Sequence, residues 1–348
     1  MLSIKQFCLF NGCKVTVLLF LIKLSLQVEY HIMATGSLLG ITLHQKTSFP
    51  VGKVDFLTLY PMSFNEFLLA LGQEQLYELL KSNDWPMIMS FKAKLIGHLR
   101  HYYFIGGMPE AVSSFISEND FDRVRSIQKS ILIAYEHDFS KHAPAKIVPR
   151  IKMMLQSNPA QLSKENKKFI YGAVKQGGRA KEFELALAWL TDCGLVHKVQ
   201  RISKAALPLV AYQDSSAFKL FILDVGLLSA IGGLTRQTIL QGNSIFSEFK
   251  GSLAELFVLQ HLKIRQNVQV YYWSSDTARA ELDFVIQNND RIIPIEVKAE
   301  ENLKAKSLKS FYEKFNPSTS VRTSMSDYRD DGWLVNSPLY AFESFQFA

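Results

Sequence analysis

The stretch Glu281–Lys298, ELDFVIQNNDRIIPIEVK, decides the fold, because it reads as two short strands around a tight turn. From Glu281 to Gln287 the residues alternate, with Leu282, Phe284 and Ile286 on one side and Glu281, Asp283 and Val285 on the other. Arg291–Lys298 is rich in Ile and Val and carries Glu296 and Lys298 on one face. Asn288-Asn289-Asp290 is turn chemistry, since Asn and Asp tolerate positive φ. A two-residue turn at Asn289-Asp290 sets Asp283 opposite Glu296 and Glu281 opposite Lys298. A slip of one residue would split this set across two faces.

Two carboxylates held side by side repel. At about 4 Å and an effective dielectric near 20 the cost is on the order of 4 kcal/mol. A divalent cation removes it, and hard oxygen ligands suit magnesium or manganese. Lys298 beside them would orient a water or neutralise a developing phosphate charge. The plain alternative is a solvated hairpin face with a Glu281–Lys298 cross-strand ion pair. A third acid bears on the choice. Ser252–Lys263, SLAELFVLQHLK, reads as a helix with Glu255 on the same face as Val258, Leu259 and Leu262. An acid on an apolar stripe must be paired or liganded, or else sit at the helix edge.

Glu255, Asp283 and Glu296-Val297-Lys298 together resemble the PD-(D/E)XK nuclease-like core. Wider text resembles one prokaryotic family, the AAA-type ATPases with a C-terminal domain of unknown function 4143. The similar stretches are YFIGGMPEAV (103–112), KSILIAYEHDFSKH (129–142), LSKENKKFIY (162–171), FKLFILDVGLL (218–228), YYWSS (271–275) and PIEVKAE (294–300). The resemblance runs from about Tyr30 to the C-terminus. It implies a restriction-endonuclease-like α/β/α domain in which Asp283, Glu296 and Glu255 hold a magnesium ion and Lys298 positions the attacking water. Arg322 and Ser324 are placed near that site.

The resemblance also implies an ATPase module. VEYHIMATGSLLGI (28–41) resembles its fourth strand, and residues 47–72 the strand and helix that close it. An ATPase needs a phosphate cradle, G-x-x-x-x-G-K-[ST], and an acidic magnesium ligand. Gly52-Lys53 is followed by Val54 and lacks the upstream glycine, and no other Gly-Lys-Ser/Thr occurs. The first half of the module is therefore missing, and ATP binding or hydrolysis is not expected from this chain alone. A remnant strand without neighbours exposes an edge that invites a partner chain. Residues 1–29 are atypical. The apolar run Val15–Ile22 is too short to span a bilayer, and no cleavage site follows it, so a buried strand or a product of gene truncation is expected.

Chain composition is that of a core-forming protein, with 348 residues, 48% hydrophobic and 20% charged. Cys8, Cys13 and Cys193 form no disulfide or metal spacing, which suits a cytoplasmic protein with no membrane association. Helices are expected at 73–81 and 87–103, and Asp122–His142 is a long amphipathic helix ending in His137, Asp138 and His142, a polar end more than a metal site. Lys146–Ser203 reads as a winged helix. It comprises a helix to Gln156, a helix over 164–174 capped by Ser163, a helix over 179–193 stopped by Gly194, and a strand over 195–202. Charge concentrates here. Between 141 and 204 thirteen Lys or Arg face four Asp or Glu, +9 against +7 for the whole chain. Lys164, Lys167 and Lys168 on one helix side and Lys175, Arg179 and Lys181 around a turn are the footprint of a nucleic-acid surface, or of a solvated or protein-binding face.

The expected protein is thus α/β, in four parts: an atypical segment (1–29), an ATPase remnant with lid helices (30–110), a helical linker with winged helix (111–210) and a nuclease-like domain (211–348). Its expected role is nucleic-acid binding with metal-dependent nuclease activity. The alternatives are a non-catalytic DNA- or protein-binding module and a degenerate gene product. A loop over 242–250, a helix over 307–315 and an edge strand over 333–341 complete the expectation.

Overall fold

An eight-stranded mixed sheet organises the second half of the chain, and helices from the first half pack onto it, giving an α/β fold. The computed structural model describes residues 7–11, 31–35, 57–164, 167–241, 247–266, 268–275, 280–301 and 304–347. Strands β1 (Phe7–Asn11) and β2 (His31–Thr35) form a separate parallel pair. Gly52, Lys53 and the Val15–Ile22 run lie outside the described residues.

Seven helices follow: α1 (Phe64–Ala70), α2 (Glu74–Ser82), α3 (Trp85–Ser90), α4 (Lys92–Ile105), α5 (Pro109–Glu118), α6 (Phe121–His142) and α7 (Val148–Leu162). The single helix expected over 87–103 is two, since Pro86 sits in the first turn of α3 and the chain bends at Phe91 before α4. The helix expected over 164–174 is corrected too. Ser163 ends α7 rather than capping a new helix. Residues 167–170 run extended beside the sheet, Phe169 N–H donating to Phe218 O, and only Tyr171–Val174 (α8) coils. Ala180–Asp192 (α9) ends at Gly194, whose φ of +74° is the left-handed stop a glycine supplies.

The sheet then forms from β3 (Val196–Ile202), β4 (Gln213–Ile222), β5 (Val268–Ser274), β6 (Glu281–Asn288), β7 (Arg291–Val297), β8 (Val321–Ser324), β9 (Arg329–Asp330) and β10 (Val335–Pro338), in the order β4-β3-β5-β6-β7-β8-β10-β9. Helices α10 (Val225–Ile231), α11 (Arg236–Gln241), α12 (Ser247–Lys263) and α13 (Lys306–Phe315) connect them. Helix α12 starts inside the expected 242–250 loop. The returning C-terminal strand β10 is interior, because the short β9 covers its far side. The partition expected after residue 210 falls inside the β3–β4 hairpin, and β3 pairs in parallel with β5, so one sheet crosses it.

The β6–β7 hairpin has the predicted register, from Asn288↔Arg291 to Phe284↔Ile295. Its predicted alternation breaks once. Against β5 the register shifts, Tyr271 facing Val285 but Trp273 facing Leu282, so β6 carries a bulge. Leu282 therefore joins Val285, Trp273 and Phe311 in a smaller core under α13, while Phe284 and Ile286 enter the main core under α12. Helix α12 is apolar nearly all round, with Leu253, Leu256, Phe257, Val258 and Leu259 fully buried. No helix among the described residues is long and apolar enough to cross a membrane.

Candidate functional site: an acid centre neutralised by lysines

The bulge delivers Asp283 to the end of the β6–β7 ladder. Beyond the Phe284↔Ile295 pair its Oδ2 takes the place of a strand carbonyl and accepts the Val297 N–H at 2.8 Å. Glu296, one residue earlier on β7, is 4% exposed and pairs with Lys298 at 2.8 Å. Glu255 enters from α12, 5% exposed. Burial raises the pKa of both Glu255 and Glu296, and the Asp283 charge adds to it in each case. The backbone bond to Val297, next to Glu296, and the shared Lys219 ammonium bring Asp283 near both. Lys298 is held above its ordinary value although burial lowers it, because Glu296, Asp283 and Glu255 all act on it.

Other predicted contacts are replaced. Glu281 does not pair with Lys298. It meets Lys219 of β4, whose ammonium lies 2.7 Å from Glu281, 3.9 Å from Glu255 and 4.0 Å from Asp283. The Lys219 side chain has 0% exposure, and desolvation alone would push its pKa down, yet Glu281, Glu255 and Asp283 together raise it. Lys167, predicted on a phosphate-binding face, turns inward instead and pairs with Glu255. It does so because its segment runs extended against β4 rather than coiling outward. Glu255 rises from 4.5 to about 7 through burial and the nearby Asp283, against the pull of Lys167 and Lys219. Arg322, paired in register with Glu296 on β8, donates to Asn336 Oδ1 at 2.9 Å; the Glu296 carboxyl stays above its ordinary value through burial, with Lys298 and Arg322 opposing. Ser324 donates to the same Asn336 oxygen.

A magnesium or manganese ion on Asp283, Glu296 and Glu255 would need free carboxylate oxygens. Glu255 and Glu296 each leave one buried oxygen, Oε2, without a hydrogen-bond partner, as a metal ligand would. Their surroundings tell against it. The Lys219 ammonium already stands among Glu255, Glu281 and Asp283, Lys167 also binds Glu255, and Lys298 binds Glu296. Among the described residues no group of three or more His, Cys, Asp or Glu side chains has metal-holding geometry. As folded, this donor set does not fit a divalent ion.

Lys219 is the residue absent from the sequence expectation, whereas Glu281 is present in it with Lys298 as its partner instead of Lys219. The signal for Lys219 was present, since FKLFI places one cation inside an otherwise apolar strand, and buried lysines need partners. The other basic candidates, Lys164, Lys168, Lys175, Arg179 and Lys181, are all exposed. Lys164, Lys175, Arg179 and Lys181 enter no ion pair among the described residues.

The motif stretches outside this centre form a second buried polar site, and its role is structural. Asp224, between β4 and α10, accepts Gly107 N–H at 2.7 Å, Leu227 N–H at 3.0 Å and Gln260 Nε2 at 3.3 Å. A side chain at Gly106 would collide with the Asp224 carboxylate, and one at Gly107 with Met62 O. Gln128 of α6 donates to Phe104 O and Ile105 O, both at 2.8 Å. Helices α4, α6, α10 and α12 are locked together here.

Two family models match this chain. Residues 96–238 match a domain of unknown function, DUF8612, and residues 250–340 match a domain of unknown function, DUF4143. No curated protein and no solved structure matches it.

Proposed function

We propose that the protein binds nucleic acid through the basic surface around α8 and α9, and that its nuclease-like acid centre does not cut. The observation that carries the reading is the set of exposed cations, Lys164, Lys168, Lys175, Arg179 and Lys181, on a segment whose helices precede a β-hairpin in winged-helix order. Lys167 is withdrawn from that set by its pairing with Glu255.

The test is fluorescence anisotropy with duplex and single-stranded DNA in EDTA buffer over a salt series. Five phosphate contacts give a log–log salt slope of about −4, and Lys175→Ala/Arg179→Ala/Lys181→Ala reduces it by about 3. Binding indifferent to salt would count against the reading. A nicking assay with magnesium or manganese separates binding from cleavage. Cutting that disappears in both Asp283→Ala and Lys298→Ala would restore the catalytic assignment, with Asp283, Glu296 and Glu255 on the ion and Lys298 on the water. No ATP turnover is expected.

A protein-docking reading has its own support. Leu185 on α9 is 64% exposed and Ile170 is 46% exposed. Leu185→Asp leaves DNA affinity nearly unchanged if α9 docks a protein and not DNA. A partner chain at β2 is also proposed, because among the described residues β2 pairs only with β1. Cysteine usage supports a cytoplasmic setting.

A further inference from the structure

Lys219 is an expensive residue to place where it stands. Its side chain has no exposure, and taking an ammonium out of water costs several kcal/mol unless carboxylates surround it. Glu281, Glu255 and Asp283 do so, at 2.7, 3.9 and 4.0 Å, and the Tyr272 ring centroid lies 5.0 Å from the ammonium. Neither partner is tolerable alone. Three converging carboxylates without this cation would repel, and the lysine without them would be a lone buried charge. The cation comes from β4, before the acids in the chain, and is held in the sheet by the Val199↔Lys219 pairing of an inner and an outer strand. It has no freedom to swing out as a surface lysine would.

We propose that Lys219 is the resident counter-cation of this centre, and that its ammonium holds the place a divalent ion would otherwise take. The native protein excludes divalent metal there. Removing that one charge converts the same side chains into a magnesium- or manganese-binding site. The buried Glu255 Oε2, without a hydrogen-bond partner and 3.9 Å from the ammonium, is the additional donor that such a site would recruit. Size supports the exchange. Ammonium–carboxylate contacts span about 2.7–2.9 Å, whereas magnesium needs oxygens at about 2.0–2.1 Å. Deleting the lysine side chain opens space for an ion with its own waters. The proposal rests on the reading of this centre as one that does not cut, and it is tested without nucleic acid.

The experiment titrates manganese chloride into the full chain, after EDTA treatment, and follows free ion by electron paramagnetic resonance and Tm by calorimetry. Wild type is expected to show no stoichiometric manganese binding and no Tm shift. Lys219→Ala is expected to bind about one equivalent, with a Tm rise of several degrees that Asp283→Asn in the same background abolishes. Lys219→Arg, which keeps the charge, is expected to behave as wild type. Lys219→Gln serves where the alanine variant does not fold. Stoichiometric manganese binding by wild type, lost in Asp283→Asn, overturns the proposal. So does a folded neutral variant that ignores manganese. A wild type that binds manganese without nicking DNA defeats this inference alone. Binding together with nicking defeats the non-cutting reading as well. Salt-dependent DNA affinity in EDTA is untouched by either result.

Discussion

Two buried acidic sites lie on either side of α12, and they settle their charge in opposite ways. Asp224 is surrounded by two fixed backbone N–H groups, from the Gly107 turn and the start of α10, and by the Gln260 amide of α12. Glu255, Glu281, Asp283 and Glu296 are surrounded by lysines. Backbone donors cannot leave, so the Asp224 site can only be structural. An ammonium on a side chain can be removed by a single substitution, so the lysine-neutralised centre can be altered without touching the backbone. What distinguishes the two acid sites here is the kind of partner, not the depth of burial.

The comparison can be broken first at Lys219. Lys219→Ala leaves Glu281 and Asp283 without their lysine and Glu255 with Lys167 alone, and should lower stability by about 4 kcal/mol at pH 8 in EDTA, measured by urea unfolding. Without the ammonium the native carboxylates protonate more readily than the unfolded ones. Its stability should therefore recover as pH falls from 8 to 5. Asp224→Ala strands the Gly107 and Leu227 N–H groups and removes a helix cap, a loss of about 3 kcal/mol with no such recovery in acid. If both variants show the same pH profile, the distinction between the sites fails. Gly106→Ala places a methyl against the Asp224 carboxylate at a φ of +75° and should cost about 2 kcal/mol.

Glu255 sharpens the contrast. Its pKa is raised from 4.5 to about 7 in the folded protein. Between those values the unfolded chain releases the proton and the native one retains it, so stability falls as pH rises from about 4.5 to 7. Glu255→Gln should flatten that part of the Tm profile in metal-free buffer. An unchanged slope would show that the acid is already ionised by its lysines. The smallest effect belongs to the surface. Lys92 pairs with Glu301 at 2.6 Å and with Asp327 at 3.1 Å, both partners being exposed, and Lys92→Ala should change stability by under about 1 kcal/mol.

Much of the acid centre was legible because turn chemistry sets register. Asn289, at a φ of +52°, closes the hairpin as its residue type predicts, and the pairing of Phe284 with Ile295 follows from it. Glu255 was legible from its place on an apolar helix. The bulge was not, because an extra residue in one strand appears only against the partner strand β5, and that changed the faces of Leu282 and Val285. Lys167 was misplaced for a related reason. Its amphipathic spacing fits a helix, but the Phe169–Phe218 backbone bond and ring stacking at 5.3 Å draw the segment into extended contact with β4. Tertiary pairing overrode local preference there.

The parallel junction of β3 with β5 has a practical consequence for anyone dissecting the gene. The 96–238 segment ends its contribution with β3, β4, Lys167 and Lys219, while the 250–340 segment brings β5 and all four acids. Expressed apart, the second piece would carry a bare strand margin and a cluster of anions with Lys298 as its one remaining lysine from this centre, and the first an orphaned hairpin. The boundary between the two recognisable segments is thus a seam in the text only. Excising either piece would be expected to yield insoluble protein, and mixing the two to rescue both.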